Sequence, residues 1–368
     1  MTHDLFRLCD AFGPSKIVHV SSLKADLKGV VVIDNVAAGP AIGGTRMAPD
    51  VSTEECARLA RAMTLKNASA GLPHGGAKSV IFGDPGMEQG RKEELIRAFA
   101  CAIRDLVEYI PGPDMGTNET AMAWVKDEIG RSVGLPREVG GIPLDEIGAT
   151  GFGLRIAAEV AQEFCDLELR GARLVVQGFG AVGQHAARFL SRRGAILVAA
   201  ADSRGAIRDD AGIDVEALVA HKETGASISE FPGGKTIDIE TLISVPCDIW
   251  IPAARPDVIT KDNVDQLDCK LLLQGANIPA TREAELALHQ RGMLSIPDFI
   301  ANAGGVICAS VEYHGGSQSA AMATIEEKIA LNVRDVLASA RDKQVTPREA
   351  AMSLAEQRVR RAMELRRW

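Results

Sequence analysis

Two hydrophobic rhythms divide the chain. Between Gly29 and about Gly130, VVVIDNV reads as a strand and TEECARLARAMTLKNAS repeats its apolar positions every three to four residues, as a helix does. AKSVIFG reads as a second strand, Lys92 to Tyr109 as a long helix, and ETAMAWVKDEIG, after the turn GPDMGT, as another helix. From about Ile147 the rhythm changes to short aliphatic runs without alternation: RLVVQGF, AILVAAAD, CDIWIPAA, KLLLQGAN and MLSIPDFI. Such runs suit parallel strands covered on both faces, so a doubly wound α/β domain is expected from about Ile147 to Val311. Beyond it, IEEKIALNVRDVLASARDK and PREAAMSLAEQRVRRAMELRR are amphipathic helices with no strand between them.

Composition narrows the classes. With 368 residues, 46% hydrophobic and 24% charged, the chain can bury the cores of two or three domains. A net charge of -8 argues against a nucleic-acid partner. The one basic cluster, Arg358, Arg360, Arg361, Arg366 and Arg367, reads as a solvated helix end. The opening MTHDLFRLCDAFG has no basic segment followed by an apolar core, and no run approaches the ~20 apolar residues that span a bilayer. A cytoplasmic protein without a membrane partner is the expectation. The seven cysteines are scattered, with no CxxC pair and no HExxH, and read as reduced thiols rather than metal ligands.

Gly178, Gly180 and Gly183 form GFGAVG directly after the apolar run RLVVQ and at the start of AVGQHAARFLSRRG. In a dinucleotide site that order lets the backbone of Gly178, Phe179, Gly180, Ala181 and Val182 approach a pyrophosphate, while Gly183 lets the helix pack on the strand. Asp202 lies 202 − 178 = 24 residues beyond the first glycine, near the ~20 expected of an acid that holds a ribose. The competing reading is a turn that serves packing alone. Asp202 favours NAD, yet Ser203 and Arg204 beside it could receive a 2′-phosphate, so NADP stays open.

LPHGGAKSVI, residues 72–81, sets Lys78 at the mouth of a glycine turn that feeds an apolar run. A solvated strand-end lysine is the plain reading. However, GPAIGGTRM (39–47), MTLKNASAGLPHGGAKSVI (63–81), GPDMGTNETAMAW (112–124), ATGFG (149–153), QGFGAVG (177–183), QGAN (274–277) and PDFIANAGGVI (297–307) follow one another in an order that resembles the glutamate/leucine/phenylalanine/valine dehydrogenase superfamily over nearly the whole length. The resemblance implies an α/β fold of two domains with a cleft between them. Residues 1–140, joined by returning C-terminal helices 325–368, would form the substrate domain, and residues 141–324 a Rossmann-type doubly wound dinucleotide-binding domain.

The implied activity is reversible NAD(P)-dependent oxidative deamination of an L-amino acid to its 2-oxo acid and ammonium, in a homo-oligomer without metal. By resemblance Lys78 is the catalytic base, and desolvation with a second ammonium nearby is what drives a lysine's pKa down toward neutrality and leaves the free amine that this task needs. Lys66, 78 − 66 = 12 residues earlier, matches the lysine that binds the substrate α-carboxylate together with the backbone of Gly43 and Gly44. Asp114 matches the aspartate that exchanges protons with the substrate amine. Thr150, Asn277 and Asn302 match positions at the nicotinamide carboxamide and ribose, and Ala253 in IPAARPDV is counted with them. Taken singly, these residues also read as an N-cap, turn formers and solvated ends.

The substrate side chain is read from two positions. Glutamate-specific members carry a lysine where this chain has Ile42 and a serine where it has Ala309, both for the substrate's second carboxylate. An unpaired carboxylate in an apolar pocket costs several kcal/mol. Ile42 with Met63, Gly112, Val306 and Ala309 would instead line a pocket for a branched-chain or aromatic substrate, as in the leucine and phenylalanine enzymes, although apolar residues also bury by default. IPAARPDVIT and QGAN look more like glutamate dehydrogenases. The alternatives are therefore glutamate dehydrogenase or an inactive cofactor-binding protein of the same fold, against which intact Lys66, Lys78 and Asp114 weigh. His74 is either a polar group near the substrate or a surface turn residue.

Overall fold

The structure, a computed structural model, describes residues 6–366, so MTHDL at the start and Arg367 lie outside the described residues. The chain divides into two compact units. The first takes the chain through Pro143, Val306–Ala321 and the segment from Met352 on; the second takes Leu144–Gly305 and Met322–Ala351.

The first unit holds β1 (Lys16–Ser22), β2 (Leu27–Asn35), β3 (Ala41–Ala48), α1 (Thr53–Ser69), β4 (Gly75–Phe82), α2 (Gln89–Ala102), β5 (Tyr109–Pro113) and α3 (Glu119–Ile129). Its sheet runs β1-β2-β4-β3-β5, with β3 parallel to both its neighbours and the β1-β2 and β2-β4 pairs antiparallel. Side chains alternate across the sheet. Val31, Ile33, Met47, Ala77 and Ile81 meet Leu95 and Phe99 of α2 and Met122 of α3 on one face. Val30, Val32 and Val80 meet Cys56 and Ala60 of α1 on the other. Ser52 caps α1 by accepting from the Glu55 N–H, and Asn118 caps α3 in the same way, so the polar residues that open these helices also satisfy their free donors.

Two expectations change here. The helix foreseen to Tyr109 ends at Ala102, because Tyr109 belongs to β5, fully buried, with its hydroxyl bonded to Ser79, Thr45 and the Gly43 carbonyl. Only a strand beside β3 brings it there. And the glycines before Lys78 are strand, not turn: β4 begins at Gly75 and is the central strand, which sets Lys78 in the sheet's interior rather than at its end.

The second unit contains α4 (Ala149–Ala161), β6 (Arg173–Gln177), α5 (Ala181–Ser191), β7 (Ile196–Ala201), β8 (Ala206–Arg208), α6 (Val215–Glu223), β9 (Lys235–Ile237), β10 (Ile249–Pro252), β11 (Leu271–Leu273), α7 (Arg282–Gln290), β12 (Leu294–Ile296) and α8 (Asp298–Ala301). The order is β12-β11-β10-β6-β7-β8-β9, parallel from β12 to β7 with an antiparallel edge at β8 and β9. Sequence order reverses at β6, the switch point at which open α/β sheets bind ligands.

Three helices follow: α9 (Gly304–Tyr313), α10 (Gln318–Lys343) and α11 (Pro347–Glu364). The segment 325–368, expected to return as a whole, divides. Most of α10 clusters with the second unit, where Ile329 packs on Gly153 and Arg334 pairs with Glu163 at 2.7 Å. Only α11 from Met352 onward joins the first unit, with Ala355 and Val359 packed on Ala68. The amphipathic pattern identifies an apolar face but not which core receives it. No helix among the described residues is long and apolar enough to cross a membrane.

Candidate active site

The register of β3 with β4 and β5 lays a row of functional groups on the face that also carries α1. Ile42 pairs with Gly76 and Ile110, Gly44 with Gly112, and Thr45 with Ser79 and Pro113, so Gly44 lies beside Lys78 and Arg46 beside Asp114. Two glycines make this packing possible. A Cβ on Gly43 would stand 1.7 Å from the Ala77 carbonyl oxygen, and one on Gly44 2.8 Å from Asp114 Cβ and 3.1 Å from Lys78 Nζ. Bare backbone is therefore required next to the lysine.

Lys78 Nζ lies 2.9 Å from Asp114 Oδ2, and Arg46 Nε reaches the same oxygen at 2.9 Å while its other arm pairs with Glu55. The Lys78 side chain is 6% exposed and that of Asp114 23%. Burial pushes the Asp114 carboxyl up, but Lys78 and Arg46 outweigh it and hold the group below its ordinary range, so it is an anion at neutral pH. Lys66 sits half-buried in the last turn of α1. Its neighbour Asn67 donates to the Gly75 and Ile42 carbonyls at 2.7 and 3.4 Å, tying that turn to β4 and β3. At the other end of the row Ile42, Ile110, Val133 and Ala309 form a closed apolar cluster. Glu312, one turn beyond Ala309, accepts from the Gly134, Leu135 and Ile142 N–H groups, which fastens the loop carrying Val133 to α9.

In the second unit the glycine turn joins β6 to α5. Gly178 has φ +98, reachable at low cost only by glycine, and a Cβ on Gly183 would stand 2.1 Å from the Gly178 carbonyl oxygen. Gly180 faces open space, with nothing within 4 Å of its Cβ position. It also caps α5 with backbone alone, so no side chain takes up the first-turn donors. That is the cradle a pyrophosphate fits. Asn302 donates to the Gly275 and Ala276 carbonyls and to Asn277 Oδ1 at 3.3, 3.3 and 3.1 Å, while its own Oδ1 is buried without a partner. An unmatched buried acceptor is costly unless a ligand such as a carboxamide N–H₂ meets it. Both features fit a nicotinamide dinucleotide.

Comparison with known proteins agrees. Residues 140–367 match the family model Glutamate/Leucine/Phenylalanine/Valine dehydrogenase, and residues 17–131 match the family's dimerisation domain. The chain belongs to the glutamate/leucine/phenylalanine/valine dehydrogenase family. It is thus an amino acid dehydrogenase. A glutamate dehydrogenase of Aeropyrum pernix is 37% identical over 91% of this chain and 85% of its own length. An NADP(+)-dependent glutamate dehydrogenase of Pyrobaculum calidifontis is 36% identical over 96% and 92%. Among solved structures, the hetero-hexameric glutamate dehydrogenase of Thermus thermophilus in its leucine-bound form matches with a TM-score of 0.84 and 31% identity, covering 96% of this chain and 90% of that one.

Within this dehydrogenase the expected residues separate into groups. Lys78, Asp114, Gly43 and Gly44 come together as described. Ile42 and Ala309 meet, and Gly112 touches Val133, its Cβ position 3.2 Å from Val133 Cγ2; Met63 on α1 and Val306 on α9 are half-buried and stand outside the apolar cluster. Thr150 does not cap its helix: Gly148, at φ 68, is the N-cap of α4, and Thr150 Oγ1 lies 3.5 Å from the Cβ position of Gly305. Ala253 donates to the Gln177 carbonyl at 2.7 Å and lies against Gly178, and Asn277 is exposed. Asp202 departs from expectation, because both its oxygens are already occupied by protein donors.

His74 is not a surface turn residue: it is 1% exposed, with Nδ1 on the Pro40 carbonyl at 3.0 Å, Nε2 unpartnered, and its ring against Tyr313 and His314. Burial, with His314 adding to it, lowers its pKa. Sequence reasoning missed Arg46 and Glu312. Arg46 had a visible signal, a lone cation in the apolar strand AIGGTRMA; Glu312 had none, since only the fold brings the three N–H groups to it.

Proposed function

We propose that this chain catalyses reversible NAD(P)-dependent oxidative deamination of an L-amino acid, with the first unit binding substrate and the second the dinucleotide. The Lys78–Asp114 pair beside bare glycine backbone carries the reading. When bound, the nicotinamide supplies the hydride acceptor. Asp114, an anion at neutral pH, takes a proton from the substrate ammonium so that the nitrogen lone pair can form the C=N bond as the Cα–H bond breaks and its hydride leaves. Lys78 activates the water that attacks the resulting imine carbon, after which ammonia departs. Lys66 and the Gly43 and Gly44 backbone hold the α-carboxylate. Gly178, Phe179, Gly180, Ala181, Val182 and Gly183 cradle the pyrophosphate, Ala253 and Asn277 flank the ribose, and Thr150 and Asn302 orient the carboxamide.

For the substrate side chain we favour an apolar one, branched or aromatic, supported by the cluster of Ile42, Ile110, Val133 and Ala309, which offers no cation to a second carboxylate. Glutamate is the second reading, and the names of the relatives back it better than they back ours. A panel of L-amino acids assayed with NAD and NADP separately decides. An aliphatic or aromatic substrate should give the highest kcat/KM, glutamate as the best substrate refutes the pocket argument, and no turnover at all refutes the catalytic one. Lys78→Ala should abolish deamination while cofactor fluorescence still reports binding; retention of most of kcat would remove Lys78 from the base role. The dimerisation-domain match supports a homo-oligomer, which light scattering would detect.

A further inference from the structure

The acid that follows β7 is saturated by the protein itself. The Ala201 carbonyl accepts from Gly178 and Phe179 N–H at 2.9 and 2.8 Å, so Asp202, the next residue, stands beside the glycine turn. Asp202 Oδ1 accepts from the Arg204 and Gly205 N–H groups at 2.8 and 3.1 Å, and Oδ2 from Lys222 Nζ at 2.6 Å and the Ile228 N–H at 3.2 Å. A carboxylate offers about four lone-pair sites, and all are used. Its side chain is 8% exposed. A ribose 2′-hydroxyl would find no free acceptor there, and the Lys222 ammonium cancels the charge that would otherwise repel a phosphate. Next to it Ser203 and Arg204 are exposed, and Arg204 is steadied by one bond from Nη2 to the Gly225 carbonyl at 2.8 Å, with further N–H donors of its fork remaining for an anion.

From this geometry we infer that the site selects the 2′-phosphorylated dinucleotide, NADP(H), with Ser203 and Arg204 receiving the phosphate and Lys222 holding Asp202 as a neutralised loop anchor. The inference rests on the dinucleotide site proposed above, and it reverses the preference for NAD that Asp202 suggests in the bare sequence.

Binding tests it without turnover. The full chain is titrated with NADPH and with NADH by nicotinamide fluorescence, and 2′,5′-ADP and 5′-AMP are used as competitors. NADPH should bind at least about tenfold more tightly than NADH, the weight of a charge-assisted hydrogen bond, and 2′,5′-ADP should displace it where 5′-AMP does not. Arg204→Ala should weaken NADPH by about tenfold and leave NADH within about twofold, with a smaller loss for Ser203→Ala. Lys222→Gln should weaken NADPH selectively by uncovering the Asp202 charge. Because Arg204 and Ser203 are exposed, their variants keep the test valid even if Lys222→Gln fails to fold. NADH binding as tightly as NADPH, or an Arg204→Ala variant with unchanged preference, overturns this inference and leaves the dinucleotide site standing. Failure of both cofactors to bind overturns the site itself, and the inference with it.

Discussion

Replacing Asp114 by asparagine removes one charge and almost no volume, so its consequences can be worked out from the contacts of a single oxygen. Lys78 Nζ and Arg46 Nε each approach Oδ2 at 2.9 Å. At an effective dielectric constant of about 20 each contact has a gross Coulomb energy of roughly 6 kcal/mol, most of which desolvation offsets. Breaking a fully buried pair costs about 3–5 kcal/mol. The Asp114 side chain is 23% exposed, which places Asp114→Asn nearer to about 2–3 kcal/mol. A thermal melt of the variant should therefore fall by roughly 4–10 °C at neutral pH.

In initial-rate assays kcat should drop by about 10²–10⁴, since an amide cannot take the substrate proton. The pH dependence has a definite sign. The folded-state pKa lies below the ordinary 3.8, so the stabilisation from the ionised carboxylate is fully present above about pH 4 and is lost as pH falls through the depressed folded value. The gap in melting temperature between wild type and variant should accordingly narrow on acidification below pH 4. A kcat within about threefold of wild type would refute the proton-exchange role. A gap that widens on acidification would refute the electrostatic account.

Three further variants have outcomes fixed by their local geometry. Gly43→Ala places a methyl 1.7 Å from the Ala77 carbonyl oxygen and should yield insoluble protein or a large loss in melting temperature, whereas Gly180→Ala meets nothing within 4 Å and should melt like wild type yet bind NAD(P)H about tenfold more weakly, because the methyl fills the cradle. Equal cofactor affinity for Gly180→Ala would remove that turn from the site. His74→Leu deletes the unpartnered Nε2 together with the Nδ1 bond to the Pro40 carbonyl, two opposing effects, and should change stability at pH 8 by no more than about 1 kcal/mol. Because burial lowers the His74 pKa from 6.5, its wild-type contribution is intact above pH 6.5 and falls as pH drops through the depressed value. The variant's melting temperature should thus depend less on pH below 6.5, and an unchanged slope in calorimetric scans would show that another group titrates there.

Much of the architecture is legible in local pattern. The period of TEECARLARAMTLKNAS places α1 at its observed bounds, Thr53–Ser69, and the unalternating runs identify β6, β7, β10, β11 and β12. Short or glycine-rich strands are less legible. AIGGTRMA has too few side chains to show a period of two, yet it is β3, because neighbouring strands supply the pairing its own residues do not announce. β8 and β9, three residues each, pair only with one another and with the edge of β7.

Candidate chemistry divides along the same line. By itself the sequence determined which residue types stand in which order: a lysine after two glycines, an aspartate after GP, a GxGxxG between an apolar run and a helix. It also determined backbone conformation where glycine alone is tolerated, as at Gly178. The tertiary structure decided what each charge faces. It gave Asp114 both Lys78 and Arg46, gave Asp202 Lys222 and three backbone N–H groups in place of a free edge, buried His74, and sent α10 and the end of α11 to different cores. Glycine tolerance and hydrophobic period act within a few residues, so they survive in a one-dimensional reading. Electrostatic pairing and desolvation act between groups that only folding brings within 3–4 Å of each other, and no spacing along the chain encodes those distances.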